Sequence, residues 1–185
     1  MALNKQFLNN KTDYGWGFIL LHWLIAFAII GLYPLGLYID SLSYYDPEYR
    51  TMPHLHKSIG ILVTLTLAAQ VVWKFSNRTP AALPQPKVLS LATKAVHGLL
   101  YVLMAVALLS GYMISTADGR AIEVFNWFSV PAFATGIENQ EDIAGAVHWY
   151  VTTTLVVIAG LHALAAFKHH FVNKDATLKR MLGIK

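Results

Sequence analysis

Three stretches of this chain contain no Asp, Glu, Lys or Arg: residues 14–39, 95–117 and 143–167, which are 26, 23 and 25 residues long. A fourth, residues 58–73, has 16 and reaches about 20 when the aliphatic stem of Lys57 is counted with it. A bilayer span takes about 20 predominantly apolar residues, whereas a soluble core helix rarely needs so long an uncharged run. Charged residues are 13% of the chain, against about 25% in an ordinary soluble domain. These runs exclude an ordinary soluble protein. They lack the dyad alternation of barrel strands, and backbone groups in hydrocarbon must bond internally, so the spans are expected to be helices. The fold class expected is all-α: a four-helix transmembrane bundle forming a single domain over 1–185, with spans at about 15–39, 54–75, 90–116 and 143–170. The first run is too long and too aromatic for a secretory signal, carries a His, and has no small-residue cleavage site.

Cations are strongly asymmetric. Lys5 and Lys11, then Lys74, Arg78, Lys87 and Lys94, then Lys168, Lys174, Lys179, Arg180 and Lys185 fall on one side of the four spans: eleven of fourteen. Arg50, Lys57 and Arg120 fall on the other, with eight of the ten acids. The positive-inside rule puts both termini and the second loop in the cytoplasm; the cation-rich face is called inner below. The net charge of +4 follows from this asymmetry, and no basic groove or nucleic-acid motif accompanies it, so no nucleic-acid partner is expected. Pro34 is placed to kink the first helix, and Pro53 opens the second, where a missing N–H costs nothing. The outer loop 118–142 contains Ile122–Phe128, with Ile122, Phe125, Trp127 and Phe128 beside Glu123. It reads either as a short interfacial helix or as a plain aromatic belt.

There is no cysteine, which excludes disulfides, iron–sulfur clusters, Cys-ligated zinc and covalently attached c-type haem. Eight histidines remain: His22, His54, His56, His97, His148, His162, His169 and His170. Any one of them inside a span could serve only to bridge helices, so a non-redox structural protein is one reading. Their depths are coordinated, however. His148 and His162 are 14 residues apart on one helix, about 21 Å along its axis and about 40° short of four full turns, so they share a face. Counted from the opposite membrane boundary, His22 is 18 residues from Asp40 and His162 is 20 from Asp142; His56 is 18 from Lys74 and His148 is 20 from Lys168. His22 and His162 therefore share an inner level, His56 and His148 an outer level. Two facing imidazoles at one level are what a low-spin b-type haem requires. At the outer level His54 competes with His56; Gly60 lies one turn beyond His56 and leaves room for a flat ring, and His54 is read as a loop residue. At the inner level His97 competes with His22, and spacing favours His22 modestly. A di-iron bundle would need Glu and Glu-x-x-His inside the helices, which are absent, and catalytic zinc wants three close ligands.

These residues resemble the bacterial cytochrome b561 family over 14–182. The resemblance is carried by Leu21-His22-Trp23-Leu24, by His54-Leu55-His56-Lys57-Ser58-Ile59-Gly60, by the His97 helix and His148, and by Gly160-Leu161-His162-Ala163 and Lys168-His169-His170. Cytochrome b subunits of formate dehydrogenases and nickel–iron hydrogenases share the architecture. The resemblance implies two non-covalent haem b groups in a bacterial inner membrane, with His56 and His148 on the outer iron and His22 and His162 on the inner one. It implies ubiquinone as one electron partner and, for some members, superoxide as a periplasmic donor, which would make the protein a superoxide:ubiquinone oxidoreductase. His97 and His169, at the inner edge, are candidates for a quinone or proton site. Arg50 and Lys57 outside, and Lys11, Lys94 and Lys168 inside, are candidate propionate partners. The other redox reading is a membrane-anchor subunit of a larger dehydrogenase or hydrogenase. Gly31, Gly36 and Gly111 are small residues able to support helix contacts, including those of a homodimer.

Overall fold

The computed structural model describes residues 6–184; Lys5 and Lys185, counted among the inner cations, lie outside the described residues. Its elements are α1 (Trp16–Ser41), α2 (Thr51–Ser76), α3 (Lys87–Thr116), the strands β1 (Ile122–Val124) and β2 (Phe128–Val130), α4 (Gln140–Phe171) and the short α5 (Thr177–Met181). The four long helices lie within three residues of the expected spans. At ~1.5 Å per residue they run about 39–48 Å, more than the ~30 Å of a hydrocarbon layer. All four are long and apolar enough to cross a membrane.

Helix ends follow local chemistry. Asp46 accepts from the backbone N–H and the hydroxyl of Ser43, at 2.6 and 2.9 Å, which organises the turn after α1. Pro53 falls in the first turn of α2, and α3 begins directly after Pro86. Glu141 and Asp142 lie in the first turn of α4 and Lys168 in its last, each sign opposing the helix dipole. Because α2 starts at Thr51, His54 is a helical residue, which corrects its reading as part of the loop. α1 continues through Pro34 as one element.

Packing is inverted relative to a soluble protein. Leu24, Phe27 and Ile30 are 60–66% exposed along α1, while the buried set is small: Ile19, Ile25, Val63, Leu67, Ala107, Ala144 and Leu155 among the long helices. Lipid tails are as apolar as these side chains, so exposure carries no penalty there. The helices associate as two antiparallel hairpins. α1 packs along α2, and α3 along α4, over most of their lengths; between the hairpins, α2 meets α3 and α1 meets α4 only sparsely. Gly17 permits the close approach of α1 to α2, since a Cβ there would lie 2.4 Å from the Trp73 ring. One tie across the two hairpins is a hydrogen bond of 3.2 Å between the hydroxyls of Tyr33 and Thr153. Thr153 falls between His148 and His162 on α4.

The outer loop departs from expectation. Ile122–Phe128 does not form a short helix; β1 and β2 pair antiparallel, Val124 opposite Phe128 and Ile122 opposite Val130. Ile122 and Val124 are buried and Glu123 exposed, a two-residue period that one helical face does not produce. Phe125 and Asn126 carry φ of 48° and 58°, left-handed backbone that stops a helix and turns the chain. Ser58, fully buried on α2, accepts the Phe125 N–H at 3.0 Å and so pins this turn.

The inner face is knitted from three segments. The Ala81 N–H donates to the Lys11 carbonyl, the Arg180 guanidinium to the Ala81 carbonyl, and the Asn9 amide to the Arg78 carbonyl, at 2.9–3.0 Å. The Trp23 indole N–H donates to the Met181 carbonyl at 2.7 Å, joining α5 to α1.

Ser58→Ala should leave helix content unchanged but strand the Phe125 N–H, costing about 1–3 kcal/mol. Circular dichroism and denaturant unfolding of the purified protein in detergent would show it; unchanged stability would mean Ser58 does not secure the hairpin.

Candidate functional site

The outer histidines meet across the two hairpins. His56 of α2 and His148 of α4 have ring centroids 6.3 Å apart and planes at 72°. Two imidazoles on opposite sides of one metal, each with a bond of ~2 Å and its nitrogen roughly 1 Å from the ring centre, have centroids about 6 Å apart. The His148 ring is held from α3. Its Nδ1 lies 2.9 Å from the Ala107 carbonyl oxygen and 3.2 Å from Ser110 Oγ. A carbonyl only accepts, so Nδ1 carries the proton and Nε2 keeps its lone pair for a metal. Gly111 faces the same ring: a Cβ there would sit 3.0 Å from its Cε1. Gly36 stands similarly against His56, 3.5 Å from Cε1. A Cβ on Gly60 would meet no other atom within 4 Å. Buried His56 Nδ1 has no hydrogen-bond partner.

The inner level gathers three imidazoles. His162 of α4 and His97 of α3 have centroids 5.1 Å apart, and His22 of α1 is within electrostatic reach of both. The 5.1 Å separation is shorter than one intervening metal allows. His97 and His162 also belong to the same closely packed hairpin, whereas His22 approaches from the other. Among the described residues no group of three His, Cys, Asp or Glu is arranged to hold a bare metal ion. Paired imidazoles facing across a sparse interface suit a metal already carried in a flat macrocycle.

Residues 13–183 match the family described as prokaryotic cytochrome b561. The chain is 45% identical over 179 residues to Cytochrome b561 homolog 2 of Escherichia coli (strain K12), covering 96% of this chain and 95% of that one. It is 26% identical to the Probable superoxide oxidase CybB of Yersinia pestis, with 89% and 93% covered, and 25% identical to Cytochrome b561 homolog 1 of Escherichia coli (strain K12), with 89% and 93% covered. The chain belongs to the prokaryotic cytochrome b561 family. It is thus a multi-pass membrane cytochrome, of a family that binds haem b and transfers electrons across the bilayer.

Around the histidines of this cytochrome b561, the structure adds partners that spacing did not reveal. His169, in the last turn of α4, has Nδ1 2.5 Å from Asp175 Oδ2. Burial would raise the Asp175 carboxyl, but hydrogen bonds from Thr177, including its N–H at 2.8 Å, and from His169 outweigh that and hold it below the ordinary value. The signal was available: Asp175 is one of two acids on the inner side of the chain, six residues after His169. Ser110 and Gly111 carried no comparable mark, and Gly111 was read only as a helix-contact residue. Lys74 lies over the Tyr101 ring, 4.7 Å from its centroid. Outside, Arg120 is ion-paired to Asp118, and its hydrogen bonds, with Lys57 nearby, hold that exposed carboxyl below its ordinary value.

The lowered carboxyl of Asp175 gives a pH dependence. Its bonds favour the folded chain above the ordinary carboxylate pKa, and that contribution is lost as pH falls through the lower folded value. From neutral pH toward about pH 3, below the ordinary carboxylate pKa of ~3.9, wild type should lose more thermal stability than Asp175→Asn. Equal slopes in thermal melts across that range would contradict it.

Proposed function

We propose that this protein relays electrons across the bacterial inner membrane through two haem b groups, exchanging them with ubiquinone on the inner side and with a small periplasmic donor on the outer side. In this reading both termini are cytoplasmic. The observation that carries it is the meeting of His56 and His148 across two hairpins that otherwise touch sparsely, at a separation suited to one intervening iron. His22 and His162 would make the equivalent pair at the inner level, since they too come from different hairpins. His97 is then a neighbour of the inner ligands and not one of them. Bound haem supplies the one-electron ferric–ferrous couple.

The chain's own residues do the rest. His56 and His148 would hold one iron and His22 and His162 the other, with the surrounding apolar side chains keeping water from the interior. Quinone reduction consumes protons, and the inner edge offers His169, whose Nδ1 is engaged by Asp175 and whose Nε2 remains to hold a proton, together with the more exposed His97. Superoxide as the outer donor is supported by the likeness to the Probable superoxide oxidase CybB of Yersinia pestis. Electrostatic steering does not argue for it, because Asp118 offsets Arg120 and acids predominate on that face.

The purified protein should bind two haems per chain, counted as pyridine haemochrome. His148→Ala should lose one and keep the other, and His97→Ala should keep both. Loss of neither or both in folded His148→Ala, or loss of one in His97→Ala, would overturn the assignment. Superoxide pulses with added ubiquinone, followed optically, should give haem reduction and then quinol; no reduction would remove superoxide as donor.

A further inference from the structure

A single turn of α3 is fitted to one ring nitrogen of α4. Three residues of that turn address His148: the Ala107 carbonyl at 2.9 Å from Nδ1, the Ser110 hydroxyl at 3.2 Å from the same atom, and Gly111, whose missing side chain lets the ring lie against the helix. Ser110 is 4% exposed and Ala107 5%, so both oxygens act away from solvent. The single Ser110 proton has two backbone acceptors nearer than His148 Nδ1, the Val106 carbonyl at 2.8 Å and the Ala107 carbonyl at 3.0 Å, and the Val106 carbonyl is the closer. Donating there leaves the Ser110 lone pairs turned to the Nδ1–H of His148. The Ala107 carbonyl is a helical acceptor with a second lone pair to spare. The ring nitrogen therefore faces two acceptors in a low-dielectric interior, where such bonds are strong. By contrast, His56 Nδ1 is buried without a hydrogen-bond partner.

We infer that Ser110 is a positioning residue for the outer electron-transfer site: with the Ala107 carbonyl it fixes the tautomer of His148 and strengthens the electron donation of Nε2. The inference rests on His148 as an iron ligand. An imidazole whose Nδ1–H is engaged by acceptors is a more basic ligand and favours the ferric over the ferrous state. Ser110 and Ala107 therefore hold the outer potential down relative to a site lacking them, with no such influence on the inner level. α3, which supplies no ligand in this reading, thereby sets the electronic difference between the two levels.

The test is a redox titration of the full-length protein in detergent, with haem content and low-temperature electron paramagnetic resonance on the same samples. The outer signal is identified first as the one missing in His148→Ala. Ser110→Ala should keep two haems per chain, shift the outer midpoint to a more positive value, alter the low-spin signal of that haem alone, and leave the inner midpoint in place. Ser110→Thr, which keeps the hydroxyl, should return the outer midpoint toward wild type and serves where the alanine variant folds poorly. If His148→Ala removes one haem but Ser110→Ala leaves both midpoints and both signals at wild type, the positioning role is wrong and the ligand assignment stands. If Ser110→Ala shifts both midpoints together, or Ser110→Thr shifts the outer midpoint as far as alanine does, the effect is general packing and the inference fails. If His148→Ala keeps both haems, the ligand assignment itself has failed.

Discussion

A ring nitrogen placed in hydrocarbon has no water to turn to, so it must find a bond inside the protein or in something the protein holds. His22, His56, His97, His148 and His162 stand inside the spans away from their ends, and the carboxylates of the spans (Asp40, Glu141 and Asp142) lie only at helix ends. That constraint shapes the bundle. His148 spends Nδ1 on α3 and is left with Nε2; His56 faces it from the other hairpin at a distance that one iron spans. The interior is polar at these levels, and elsewhere the spans present apolar side chains to lipid.

The division into two hairpins is what makes such levels possible. Within each hairpin the helices pack side by side, and Gly17 against Trp73 shows how close they come. Between hairpins contacts are sparse, and the Tyr33–Thr153 hydrogen bond ties them midway. In the proposed reading a flat cofactor would lie between helices that are held in register but not pressed together. At the inner level the nearest pair has another origin: His97 and His162 are close because α3 and α4 pack tightly, whereas His56 meets His148 across the two hairpins.

Much of this was legible beforehand. The charge-free runs mark the spans because burying an ion in lipid is so costly, and the expected spans drawn around them lie within three residues of the helices. The fourteen-residue interval between His148 and His162 fixes two levels because helical rise and rotation are constant. The hairpin at 122–130 was not legible: its strands are three residues long, and its turn needs left-handed backbone at two successive residues, which Asn126 tolerates but Phe125 gives no sign of. The closeness of His97 to His162 depends on the rotation of one helix against another, which sequence spacing does not contain. The partnership of Ser110 with His148 needed the folded chain, since an ordinary serine looks the same wherever it stands, whereas Asp175 was marked as one of two acids on the inner side.

The indole of Trp23 and the carbonyl of Met181 are 158 positions apart in the chain. During synthesis the first hairpin is available to the membrane long before residue 181 has left the ribosome, so this fastening is among the last contacts made. A chain cut short before α5 would keep its four spans and still lack the clasp at their cation-rich end. A bulky group introduced close behind Met181 would sit against that clasp.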